Sequence, residues 1–124
     1  MRPYTDLAAL TAYLLEESWV LDVEARPGTL VLRLELVLLP EHPGYTPPPP
    51  TEAYCYRSGV IRFEGVERLS WIQGELMYRS TDLDGSTDYG NIDSFEWALN
   101  EFHLEGSFGR IEVQAQNVTV ELRG

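Results

Sequence analysis

Five leucines at every second position, Leu30, Leu32, Leu34, Leu36 and Leu38, constrain this chain more than any other feature. A strand turns alternate side chains to opposite faces, so this run builds one leucine-covered face and puts Arg33 and Glu35 on the other. A helix would scatter the same leucines around its circumference. Before them, Pro27-Gly28 is a turn signal, and earlier still Trp19, Leu21, Val23 and Ala25 alternate with Val20, Asp22 and Glu24. Two such runs joined by a turn predict a hairpin with one buried face.

The period of two continues through most of the chain. Strand patterns recur at Tyr54-Cys55-Tyr56, over residues 60–64 with Ile61 and Phe63 on one side, at Leu69 and Trp71, and briefly over residues 76–78. Further on, Phe95, Trp97 and Leu99 alternate with Ser94, Glu96 and Ala98. Phe102 and Leu104 then lead into a turn at Gly106-Ser107-Phe108-Gly109, and Ile111, Val113 and Ala115 form the next run. Val118, Val120 and Leu122 form the last, joined through Gln116-Asn117. Trp19, Trp71 and Trp97 all fall on apolar sides of these patterns and read as core residues. Six of the eleven residues from 40 to 50 are proline, which donates no ladder hydrogen bond, so that stretch is an extended loop and a rigid connector.

The start of the chain reads differently. Thr5 can cap a helix, Asp6 suits its first turn, and Leu7, Leu10 and Leu14 recur at helical spacing, which predicts a helix over residues 6–17. The expected fold is mostly β (α+β): an antiparallel meander or two-layer β-sandwich of eight or nine short strands with one N-terminal helix. No composition shift divides it, so residues 1–124 form one domain.

Charge narrows the function classes. Twenty carboxylates face nine basic residues, a net charge of -11, and all nine are arginines. Without lysine there is no Schiff-base lysine, no P-loop lysine and no lysine general base. Nucleic acid and anionic membranes are disfavoured partners, since both need clustered cations. No apolar run approaches the ~20 residues that span a bilayer, and no apolar signal region opens the chain, so the cytoplasm is the expected location. Cys55 is the sole cysteine, which rules out an intrachain disulfide and any CxxC motif.

The chain offers one segment of concentrated chemistry. Residues 80–93 carry Asp82, Asp84, Asp88 and Asp93 with Gly85 and Gly90 and no basic residue. Counted as a calcium loop from Asp82, oxygens fall at positions 3 (Asp84), 5 (Ser86), 7 (Asp88) and 12 (Asp93). The required glycine is displaced to position 4, Thr87 takes position 6, and no helical pattern precedes the loop, so a solvated acidic turn is the stronger reading. His42 and His103 with Cys55 lack HxH, HExxH or CxxC spacing, and no zinc site is expected. Serine-elbow, phosphate-cradle and dinucleotide motifs are likewise missing, so no cofactor is expected and a small hydrolase ranks behind binding roles.

Ser18-Trp19-Val20-Leu21-Asp22, Arg62-Phe63-Glu64-Gly65-Val66, Asp88-Tyr89-Gly90-Asn91-Ile92-Asp93 and Leu104-Glu105-Gly106-Ser107-Phe108-Gly109 together give the chain a family look. It resembles small, acidic bacterial proteins of uncharacterised function, a group in which immunity-type inhibitors of toxins also occur. The resemblance implies a non-catalytic protein-binding domain, and the acidic balance of the chain points to a basic protein partner. On this reading Asp82, Asp84, Asp88 and Asp93 are the partner-binding rim and Tyr89 its aromatic anchor. The alternative is a calcium- or other cation-binding module built on the same carboxylates.

Overall fold

The leucine run forms the centre of one sheet. The computed structural model describes residues 1–72, 80–81 and 87–123. In chain order its strands are β1 (Arg2–Pro3), β2 (Trp19–Arg26), β3 (Thr29–Leu38), β4 (Cys55–Glu64) and β5 (Arg68–Ile72). They continue with β6 (Ser80–Thr81), β7 (Thr87–Asp88), β8 (Ile92–Ala98), β9 (Glu101–Gly106), β10 (Gly109–Gln114) and β11 (Asn117–Leu122). One sheet, here sheet B, has the order β11-β4-β3-β2; the other, sheet A, runs β1-β8-β9-β10-β5. Every pairing is antiparallel, and β6 with β7 makes a separate two-stranded ribbon.

Both sheets turn their apolar faces inward. Leu30, Leu32, Leu34, Leu36 and Leu38 are all buried, as are Ile61 and Phe63 beside them. From sheet A come Phe95, Phe102, Leu104, Ile111 and Val113. Phe63 joins the layers, its ring 6.1 Å from Phe95 and 5.2 Å from Phe102 between centroids. The expected Pro27-Gly28 turn closes β2 onto β3 with Arg26 opposite Thr29, and Gly28 takes a φ of 79°, open to glycine at no steric cost.

Two expectations need correction. No helix forms over residues 6–17; instead there are 3-10 turns at Tyr4–Asp6 and Leu15–Glu17. The chain advances through successive four-residue turns, Leu7 N–H to Tyr4 C=O, Leu10 to Leu7 and Tyr13 to Leu10. The backbone is spent on the sheet: Leu14 N–H donates to Val37 C=O and Leu39 N–H to Ala12 C=O. Residues 2–3 pair with β8 in sheet A while Tyr13 bridges Leu38 in sheet B, so this segment straps the two layers together. Tyr4, Leu10, Tyr13 and Leu15 are its buried side chains, a set with no single helical face.

The second correction is Trp19, which is 42% exposed. A β-bulge between Val20 and Asp22 inserts Leu21 as an extra residue and shifts the alternation, so Val20 and Val23 point inward and Trp19 does not. Trp71 and Trp97 pack against the core as expected, and each indole N–H finds a carbonyl, that of Phe108 at 2.7 Å and that of Pro3 at 3.0 Å.

Candidate functional site

The acidic segment divides on folding. Asp82 and Asp84 lie outside the described residues. Asp88 closes the ribbon, paired through its backbone with Ser80. Tyr89 is buried at 4% exposure, its ring edge-on to Trp71 at 6.5 Å. Its N–H donates to Val20 C=O at 2.7 Å, and Val20 N–H returns a bond to Gly90 C=O at 2.8 Å. Asn91 donates its side-chain amide to Ser18 C=O at 2.8 Å. Residues 89–91 thus extend the edge of β2 by another rung. Gly90 is required there: its φ is 77°, and a Cβ would stand 2.7 Å from Ser107 Oγ.

Tyr89 is therefore no exposed anchor. Its aromatic surface is spent on the core, because the rung beside Val20 directs the ring toward Trp71. Asp93 goes the other way. It is exposed on β8 and shares a shallow depression with Ile72, Glu105 and Arg110.

That depression belongs to the outer face of sheet A, which the strand register assembles row by row. Glu96, His103, Glu112 and Ser70 stand opposite one another across β8, β9, β10 and β5. The row on one side is Ser94, Glu105, Arg110 and Ile72; the row on the other is Ala98, Glu101, Gln114 and Arg68. Directly opposed side chains in an antiparallel pair have Cβ atoms about 4.5–5.5 Å apart, so like charges facing each other repel. Here His103 separates the carboxylates of Glu96 and Glu112, with Glu101 and Glu105 two residues away along its own strand. Its Nε2 lies 3.6 Å from a Glu101 carboxylate oxygen. Arg110 pairs with Glu105 at 2.8 Å, and Arg68 donates to the amide oxygen of Gln114 at 3.0 Å. Among the described residues Glu96, Glu112 and Asp93 have no ion pair.

The other histidine, His42, ties a loop in place. His42 accepts the Gly44 N–H at Nδ1 (2.8 Å), so the neutral ring carries its proton on Nε2, which meets Tyr13 Oη at 2.9 Å. This pair holds the proline-rich loop to the sandwich. His103 sits on the outer face of sheet A, Cys55 is buried at the end of β4, and among the described residues no three His, Cys, Asp or Glu side chains converge for a metal.

Tyr4 fixes the N-terminal strap. Its hydroxyl donates to the Glu16 carboxylate and accepts the Leu15 N–H at 3.1 Å. Burial first, and then the Glu16 carboxylate, push its ionisation well above the ordinary tyrosine range; burial moves Tyr13 upward as well.

Glu96, Glu101, Glu105 and Glu112 were not singled out from the sequence as binding residues. Their signal is the polar half of the alternation that placed Phe95, Phe102 and Leu104 inside. No family model, curated protein or solved structure matches this chain. No helix among the described residues is long and apolar enough to cross a membrane.

Proposed function

We propose that this chain is a non-catalytic protein-binding domain that receives a basic partner on the outer face of sheet A, as an immunity-type inhibitor would. The observation that carries this reading is the row Glu96–His103–Glu112, where carboxylates from β8 and β10 flank a histidine of β9 on the outer face of sheet A and neither has an ion pair among the described residues. Asp93 extends that face toward the segment first suspected from the sequence. A sheet face that presents carboxylates suits a protein surface, because it steers a cationic partner at long range.

The test begins with capture of the partner from the native host and its identification. Association is then timed against ionic strength for the parent protein, for the double variant Glu96→Gln/Glu112→Gln, and for Asp93→Asn. The double variant should associate at least about tenfold more slowly at low salt, with the difference shrinking as salt rises and dissociation changing less. Association indifferent to both salt and these substitutions rejects the face as the interface.

A further inference from the structure

The opposite outer face, on sheet B, gathers several arginines. Four of the nine arginines, Arg26, Arg33, Arg62 and Arg123, line one open depression of about 400 Å³. Register explains the grouping. Arg33 on β3 faces Val60, and Arg62 on β4 faces Val31, so the two guanidinium stems stand diagonally across adjacent strands. Arg123 follows β11, where its N–H donates to Ser58 C=O at 2.8 Å. Val60 points outward with these arginines yet is only 2% exposed, which makes it an apolar floor beneath them.

The ion pairs leave part of this charge unspent. Arg26 pairs with Glu24, and Arg62 reaches Glu121 at 3.4 Å. Asp22 stands opposite Arg33 in the register, but the two form no ion pair. Arg33 and Arg123 have none among the described residues, in a chain with twenty carboxylates available.

We propose that this depression binds a small polyanion, a molecule with two or more phosphate or carboxylate groups, through Arg33, Arg62 and Arg123. Each guanidinium presents a planar fork of donors matched to such oxygens. The volume falls within the roughly 300–1,000 Å³ of small-molecule sites. Asp22 and Glu24 on the rim accept hydroxyl or amine donors of the same molecule. A small ligand stays inside the local field of the arginines, while an extended polyanion would run past the ~8 Å screening length onto the rest of an acidic molecule.

Calorimetric titration with inorganic pyrophosphate and, separately, with citrate at constant ionic strength tests the site and distinguishes the two oxygen chemistries. A saturable one-to-one heat is expected with at least one of them. Arg33→Gln/Arg123→Gln should weaken it at least about tenfold, as expected for lost charge-assisted hydrogen bonds. Arg110→Gln, on the other sheet, should leave it unchanged. Glu121→Gln frees Arg62 and should tighten binding about twofold, a gain that a merely structural role would not give. Amide shifts of Val31, Arg33, Val60 and Arg62 in the unaltered protein locate the ligand even where a variant folds poorly. The proposal fails with no saturable heat from either probe, with shifts scattered away from sheet B, or with an affinity that the arginine substitutions leave intact.

Discussion

The two outer faces of the sandwich are built from the same kind of strand and reach opposite electrostatic solutions. On sheet A, Glu96 and Glu112 flank His103 across the strands, and Glu101 and Glu105 lie two residues to either side of it along the central strand β9. On sheet B, Arg62 sits diagonally from Glu121 and pairs with it, Glu24 pairs with Arg26, and Asp22 faces Arg33. The difference comes from register rather than composition, because each sheet draws on both signs of charge. A net charge of -11 therefore says little about any one surface. What a partner meets depends on which strands the hydrogen-bond ladder sets side by side.

Four measurements bear on that contrast, beginning with the largest effect. Both faces rest on one core, so Phe63→Ala should cost ~3–5 kcal/mol and Leu34→Ala ~2–5 kcal/mol in chemical denaturation, weakening both sheets together. Loss of one face alone would mean that the sheets are energetically independent. Next comes the strap that fastens sheet A. Tyr4→Phe leaves the Leu15 N–H without its acceptor and should cost ~1–3 kcal/mol.

The same tyrosine gives sheet A an alkaline weakness. Its ionisation is raised in the folded state, so its contribution is whole below the unfolded value near pH 10 and declines as pH rises further, when the unfolded chain ionises and the folded one does not. Amide exchange at β8 should accelerate above about pH 10 before that of β3 and β4, and Tyr4→Phe should flatten the slope of stability against pH.

The third measurement compares hairpin tips. Sheet B turns at Pro27-Gly28, with glycine in the left-handed region, whereas sheet A turns at Leu99-Asn100 with Leu99 at a φ of 56° and 91% exposed. A leucine pays for that conformation, so Leu99→Gly should stabilise the fold by ~1 kcal/mol. The smallest effect separates two ion pairs. Double-mutant cycles should give ~0.5–1 kcal/mol for Arg62–Glu121, whose arginine is 28% exposed, and ~0.2–0.5 kcal/mol for the open pair Arg110–Glu105. Equal values would mean that the lower exposure of Arg62 adds nothing to its ion pair.

Much of this was legible in the residues. Leu30 to Leu38, the Pro27-Gly28 turn and the Gly106 to Gly109 turn all lie where alternation and turn chemistry put them, since those signals are local. The helix over residues 6–17 failed for a tertiary reason: Leu14 and Leu39 take sheet partners that a sequence window cannot see. Leu21 was misplaced because a bulge adds one residue without any composition signal. Tyr89 lay in a segment whose carboxylates suggested solvent, yet its neighbour Gly90 fits tightly against Ser107. The outer-face rows needed strand order, which alternation alone does not supply.

The strap also sets an order of events during synthesis. Pro3 accepts a hydrogen bond from the Trp97 indole, 94 residues later in the chain, and Arg2 lies over that ring at 5.0 Å. Strand β1 thus has no partner until β8 has been made, several seconds after β1 itself at the usual ~5–20 residues per second. The meander of β2, β3 and β4 is complete long before then, and its contacts are far more local. The nascent chain would hold a half-built sandwich with its leucine face uncovered, and residues 2–3 would find their place only after that face had long been made.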